Sequence, residues 1–410
     1  MIDAWVPEAK ADSVKTEIES RVEGVYVEVQ ETRGRKLEES EKAEPRFKDA
    51  PTKFNNGAVV KEFEYPTKLV SVPKYQEIDP SILIAIFLPM FFGLMVGDVG
   101  YAIPFIILGA YGLKVTHHKD WRAIATVLFF GGIWAFIFGF FFFGEALGMH
   151  FVGEGHLDVE WTWEKIFTQV FGVENFDLAS VFTFLPYEVG VGKLHEVGFL
   201  LKLSVYIGIV HLMIGYLCAL YNKSIQHDFK HGFMEKGGWI FGFLGLVFVC
   251  YALAMVLIYS DSYGFGDVLP FLAIGLVFIV IEVAMNIKHE GIQAVLELPG
   301  IIGNILSYTR LAAIGMSKAG MALAFNYIAI EMIGLGLGGV AGFIIGLLLF
   351  VFLHLMIWTL AILSAGLHGL RLQFVELMAK FFEGGGVEYS PLKIKREKTV
   401  SAKEKATKEV

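Results

Sequence analysis

The feature that most constrains this chain is a run of forty residues, Ile292 to Glu331, almost wholly apolar but with Arg310 near its middle. About 20 such residues suffice to cross the ~30 Å hydrocarbon core of a bilayer. A charged side chain at that depth costs a few kcal/mol or more, so it faces protein or water and marks function. Residues three or four apart share one helical face. The face that carries the arginine reads Gly300, Gly303, Ser307, Arg310, Ala313, Ser317 and Gly320. Apart from the arginine it is all Gly, Ala and Ser, residues that let a second helix approach closely within lipid. The sequence thus describes a smooth face with one positive charge at mid-membrane, against which another body docks or slides.

Composition agrees with a membrane protein. The chain is 55% hydrophobic with a mean hydropathy of +0.57, well beyond an ordinary soluble domain. Its two cysteines, Cys218 and Cys250, both sit in apolar runs, so neither a disulfide framework nor a Cys-based metal site can be built from them. Met1 is followed by a polar, charged segment, which predicts no cleavable signal peptide. No basic domain or recognition motif points to nucleic acid as a partner. No P-loop, nucleophile elbow, HExxH or dinucleotide fingerprint appears, so no catalytic centre, metal or cofactor is expected.

The segment 1–79 is polar. In it Pro7–Arg21 has the pattern of an amphipathic helix, Gly24–Glu31 alternates as a half-exposed strand does, and Thr32–Lys48 reads as a charged loop. Beyond it, helices are expected at about 81–96, 98–114, 121–147, 197–221, 237–260, 267–288, 292–331 and 339–383. The first two are short, carry Pro89 and Pro104, and are joined by Gly97-Asp98-Val99-Gly100; a single kinked helix or a re-entrant pair is the other reading there. The last two reach roughly 60 Å at ~1.5 Å per residue, so they tilt steeply or project beyond the bilayer. The expected fold is an all-α polytopic membrane protein of about eight transmembrane helices. Residues 1–79 add a small α+β cytoplasmic segment, 80–384 form the membrane domain, and 385–410 form a basic cytoplasmic tail. Lys114, Lys119, Arg122, Lys223, Lys230, Lys236 and the tail lysines fall on one side, while the loop 148–196 is rich in Asp and Glu. The positive-inside rule then places both termini in the cytoplasm and that loop outside.

Arg310 has two readings: a structural ion pair with Glu282 or Glu297, or the working charge of an ion path. The smooth face favours the second. A further stripe on the eighth helix, His354, Ile357, Ala361, Ser364, His368, Arg371 and Val375, is polar at four of seven positions and puts Arg371 at a depth comparable to Arg310. Snorkelling of Arg371 to the inner interface is the bland alternative. Glu282 and Asn286 stand four apart, and with Glu297, Asn304 and Tyr308 they are candidates to line a water-filled inlet. Asn326 and Glu331 are weaker candidates on the external side, and Lys318 either snorkels or lines the seam. Asp98 reads as a helix cap. His227, Asp228 and His231 have metal-like spacing but lie in a basic loop. The Phe138–Phe143 run is a lipid-facing or packing surface.

Several of these stretches together resemble the membrane subunit a (subunit I in archaea and bacteria) of V/A-type rotary ATPases. They are Leu306-Ser307-Tyr308-Thr309-Arg310-Leu311, Leu367-His368-Gly369-Leu370-Arg371-Leu372 with Glu376 and Lys380-Phe381-Phe382-Glu383-Gly384, and Gly97-Asp98-Val99-Gly100-Tyr101. The resemblance covers about residues 66–390. It implies a stator subunit of archaeal type in the cell membrane, whose last two helices embrace a rotating proteolipid (c/K) ring. The arginine matching Arg310 would face the ring carboxylate, with Arg371 close by. Two offset half-channels would carry H⁺ or Na⁺, and ATP chemistry would reside on other subunits. Central-stalk and peripheral-stalk subunits are the other implied partners. Residues 1–79, with Trp5-Val6-Pro7, resemble the end of the family's longer stalk-binding arm, as expected of a split-gene product or a fragment. A glutamate that eukaryotic relatives place on the last helix has no counterpart; His354 and Ser364 stand in that stretch. The alternative class is a secondary transporter or channel in which Arg310 holds an anionic substrate.

Overall fold

The computed structural model describes residues 4–29, 50–151, 162–163, 193–194, 196–226, 229–258, 265–287, 291, 293–330 and 338–391. Among them, six helices are long and apolar enough to cross a membrane: Lys119–Phe143, Val197–Gln226, Gly232–Val256, Gly266–Asn286, Val295–Ile330 and Gly339–Phe381. Two further apolar helices, α4 (Ser81–Val96) and α5 (Val99–Val115), are shorter. They are separate elements: α4 ends on Gly97 in the left-handed region, and Asp98 caps α5 by accepting from the Tyr101 N–H at 3.2 Å.

The chain divides into two compact units. One comprises residues 1–55, 72–75 and 384–410. It contains helix α1 (Glu8–Arg21), none of whose side chains is buried. It also contains a small clasp in which the Thr52 N–H donates to the Val387 carbonyl at 2.8 Å and the Thr52 hydroxyl to the Pro73 carbonyl at 2.7 Å. Val25–Val29, expected as part of a strand, joins no ladder among the described residues, and Gln30 and Glu31 lie outside them.

The second unit holds residues 56–71 and 76–383. It opens with the short helices α2 (Ala58–Glu62) and α3 (Glu64–Val70), before α4, α5 and α6 (Lys119–Ile137). The sixth helix runs on as a π-helical turn, Phe138–Phe143, where a plain helix to about 147 was expected. A two-stranded hairpin follows, β1 (Glu145–Ala146) and β2 (Met149–His150), pairing Glu145 with His150. Then come α7 (Val197–Gln226), α8 (Phe229–Ile258), α9 (Phe265–Asn286), α10 (Gln293–Leu306), α11 (Thr309–Asn326) and α12 (Gly339–Arg371). A second π-helical stretch, Leu372–Met378, and a last turn, Ala379–Phe381, end the unit's helices. The α4 helix is its hub. It packs against α6, α11 and α12, and its Phe91, Phe92 and Met95 belong to the main core together with Leu311 of α11 and Ile357 of α12.

Where the periodicity predicts one helix over 292–331, the structure sets two, with a turn at Ser307–Tyr308. The cause is local. The Ser307 hydroxyl donates to the Gly303 carbonyl at 3.1 Å and the Thr309 hydroxyl to the Leu306 carbonyl at 2.7 Å. Such back-bonding competes with the helical ladder and bends it. The N–H groups of Tyr308, Arg310 and Leu311 accordingly reach the carbonyls of Ile305, Ser307 and Tyr308, each three residues back rather than four.

Candidate functional site

Arg310 stands in the first turn after this break. Its Nη1 lies 3.7 Å from Glu376 Oε1, the arginine side chain 19% exposed and the glutamate 2%. The acid on Arg310 is thus reached from beyond the end of α12 rather than from the neighbouring turns. Tyr308, next to it, is a core residue: its hydroxyl is 2.6 Å from His211 Nδ1 on α7, and its ring meets Phe91 edge-on at 6.1 Å. Gly208 makes the room. A Cβ there would stand 2.5 Å from Tyr308 Cγ, so only glycine lets α7 come this close.

The two sides of α10 and α11 differ. Leu311, Ala312, Gly315, Lys318 and Ala322 are buried, and α11 packs on α12, α7 and α4. On the small-residue face, Gly300, Gly303, Ala313 and Ser317 are uncovered by the rest of the chain, and Ser307, Arg310 and Gly320 are partly so. A Cβ built on Gly300 or Gly303 meets nothing within 4 Å. Glu297 is uncovered and Asn304 half-buried at the α10 end of that face. Glu297 is within electrostatic reach of Lys380, whose Nζ sits 5.5 Å from the Tyr216 ring.

The stripe on α12 splits along its length. His354, Ile357 and Ala361 are buried, and the packed face continues through Ala365, Gly369 and Leu372. Ser364 and His368 rotate to half-buried positions, and Arg371 and Val375 are exposed. His368 lies within electrostatic reach of Arg310, Arg371 and Lys318. Lys318 itself is 5% exposed and its Nζ has no hydrogen-bond partner among the described residues.

Other candidates stand elsewhere. Glu282 and Asn286 are both buried and bonded to each other, Nδ2 to Oε1 at 3.1 Å. They pack on Gly242 and Gly238 of α8, where any Cβ would collide with them. His354 belongs to a separate network near the Asp98 turn. The Asn326 Nδ2 donates to the Leu147 carbonyl at 2.9 Å, so its Oδ1 accepts from His354 Nε2 at 2.7 Å. That leaves Nδ1 to accept from the Tyr101 hydroxyl at 2.6 Å, the neutral tautomer protonated on Nε2. Asp98 closes the network by accepting from the backbone N–H of Leu147 at 2.8 Å and of Gly148 at 2.7 Å. Glu331, His227 and Asp228 lie outside the described residues, as does the side chain of His231.

Sequence reasoning passed over four groups. His211, Gln373 and the pairing role of Glu376 hide inside apolar helices with no motif spacing of their own. Lys193 was part of an acidic loop; it is 3% exposed, 2.7 Å from Glu145 Oε2 and 2.6 Å from the Gly97 carbonyl. Its place as one of two lysines among the acids of that loop was the available signal.

Comparison with known proteins bears on this arrangement. The family model described as the V-type ATPase 116kDa subunit family matches residues 1–143 and 278–394, which include both helix breaks and both arginines. The A-type ATP synthase subunit I of Archaeoglobus fulgidus is 31% identical over 388 residues, covering 85% of this chain and 54% of that protein. Subunit I of Methanocaldococcus jannaschii is 28% identical, covering 98% of this chain and 56% of its own length. For that of Pyrococcus abyssi the figures are 27%, 96% and 54%. The chain spans about half the length of the curated relatives it matches. A match that takes in the α4–α6 hub and the whole Arg310 region decides the affiliation: the chain belongs to the V-type ATPase 116kDa subunit family.

Proposed function

We propose that this chain is the membrane stator subunit of an archaeal A-type ATP synthase; its relatives bear the name A-type ATP synthase subunit I. In this reading α10 to α12 face a ring of proteolipid subunits, and central-stalk and peripheral-stalk subunits complete the complex. The observation that carries it is the uncovered Gly/Ala/Ser face with Arg310 at its centre. A structural ion pair needs no such face.

The mechanism is electrostatic. A ring carboxylate that crosses lipid is protonated or ion-loaded, because a bare charge there is costly. At the seam it meets the guanidinium, and a nearby opposite charge favours its ionised form. The ion leaves through one half-channel and a fresh one, H⁺ or Na⁺, loads from the other. Glu297 and Asn304 sit at the α10 end of the arginine's face, where a cytoplasmic inlet would open. The fixed cation bars direct leakage between the two channels. Arginine suits the task because it stays charged at any working pH. The short helices α4 and α5 make the seventh and eighth crossings, and the lysine distribution puts both termini in the cytoplasm of the cell membrane.

Arg310→Lys tests the reading. It keeps a formal charge but loses the planar fork and the fixed ionisation of a guanidinium. ATP-driven ion uptake into vesicles holding the reconstituted complex should be abolished, with the ring still captured in pull-down. Normal pumping by this variant would sink the proposal. Transport by the purified subunit without any ring would favour a secondary transporter instead.

A further inference from the structure

Between the two helix breaks lies a set of buried polar atoms that the reading above does not use. Glu376 Oε2, Arg310 Nη1, both polar atoms of Gln373, and His211 Nε2 are all inaccessible and make no well-formed hydrogen bond among the described residues, although the Gln373 amide adjoins His211 and the Ser307 hydroxyl adjoins Glu376. The Arg310–Glu376 pair is the charged element among them. At 3.7 Å it is close enough to attract but longer than the ~2.7–2.9 Å of a charge-assisted hydrogen bond. The carboxylate is enclosed, whereas the guanidinium keeps 19% of its surface open, on the uncovered face. The arginine is therefore held from behind without being captured.

We propose that Glu376 is a resident counter-ion, a positioning residue that retains Arg310 between encounters and competes for it with the incoming ring carboxylate. The inference rests on the reading that Arg310 meets such a carboxylate. The π-helical stretch Leu372–Met378 carries Glu376 inward, and the Ser307–Tyr308 break sets Arg310 opposite it. With the guanidinium shared, its pull on the ring site is moderated, so the ring carboxylate can take up a new ion and leave. The Ser307 and Tyr308 side chains across from it and Arg371 and Lys380 on its own stretch of chain also act on Glu376, with His211 of α7 behind Tyr308. The α4 sequence brings no titratable group.

Glu376→Gln keeps the shape and removes the competing charge. The undivided field of Arg310 then favours the ionised ring site, and reloading it demands a higher ion activity. In vesicles carrying the whole complex, the H⁺ or Na⁺ activity for half-maximal ATP-driven transport should rise about tenfold, an acid shift of about one pH unit if the ion is H⁺. Glu376→Asp, whose carboxylate is drawn back from Arg310, should shift the same way by less. A transport rate lowered equally at every ion activity in either assembled variant would make Glu376 merely structural and overturn the inference. Arg310→Lys run alongside separates the two ideas. If it is inactive while the Glu376 variants keep the wild-type ion dependence, only the counter-ion role fails. If it pumps normally, the docking reading fails with it.

Discussion

Substituting Gly303 separates the fold of this chain from its use. A Cβ at Gly303 meets nothing within 4 Å among the described residues, so none of them resists a larger residue. Glycine in a helix interior is about 0.5–1 kcal/mol worse than alanine. Gly303→Ala and Gly303→Leu should therefore leave the subunit as stable as before or slightly more so. Docking is where the cost appears, because overpacking a close interface costs about 1–3 kcal/mol. Bulk there also pushes the ring away from Arg310. Moving a carboxylate from about 4 to about 7 Å weakens its attraction from roughly 4 to roughly 2.4 kcal/mol at an effective dielectric of about 20. That loss alone is worth more than a factor of ten. Gly303→Leu should thus cut ATP-driven transport at least about tenfold without lowering the Tm of the detergent-purified subunit. Gly208→Ala is the opposite case, since its Cβ would stand 2.5 Å from Tyr308 Cγ; it should lower the Tm outright. Wild-type pumping by Gly303→Leu, or a Tm loss as large as that of Gly208→Ala, would refute the argument.

Two further outcomes follow from the outer network and from the charge distribution. Lys193→Met should leave the buried Glu145 carboxylate with only His150, at 3.6 Å, and remove the donor to the Gly97 carbonyl, costing up to about 3–5 kcal/mol; an unchanged Tm would show that the pair is dispensable. Single cysteines in place of Glu160, Lys230 and Val400 should react with a membrane-impermeant thiol reagent from outside only at 160, and external labelling at 230 would reverse the orientation.

What the sequence disclosed is what periodicity can carry. The uncovered face was legible because six of seven positions at helical spacing shared one property, small size. Its irregularities were not. The hydroxyls of Ser307 and Thr309 were visible, but whether they bend a helix depends on the carbonyl each one takes, Gly303 and Leu306 here. The polar stripe of the last helix was read as one line, whereas packing on α4 rotates its lower half away: Ala365 and Gly369 turn inward in place of Ser364 and His368. Pairing at long range leaves no periodic trace at all. Arg310 with Glu376, Tyr308 with His211 and Glu145 with Lys193 are each settled by which distant parts of the chain touch.

The two interruptions belong together physically. Irregular backbone at membrane depth survives only where protein or water covers its polar groups. At the first interruption, hydroxyls occupy the carbonyls and three-residue hydrogen bonds tighten the turn. At the second, the wider π geometry keeps Leu372, Gln373, Glu376, Leu377 and Met378 all inside. The packed face of α12 upstream is narrower, a single line through Ile357, Ala361, Ala365 and Gly369. Broadening it admits two polar side chains beside three apolar ones without opening the core. A straight pair of helices would have to give up either the packing of Leu377 and Met378 or the approach of Glu376 to Arg310. The irregular turns keep both, and they leave the arginine's free side on the small-residue face of α10 and α11, where Gly300, Gly303, Ala313 and Ser317 are exposed.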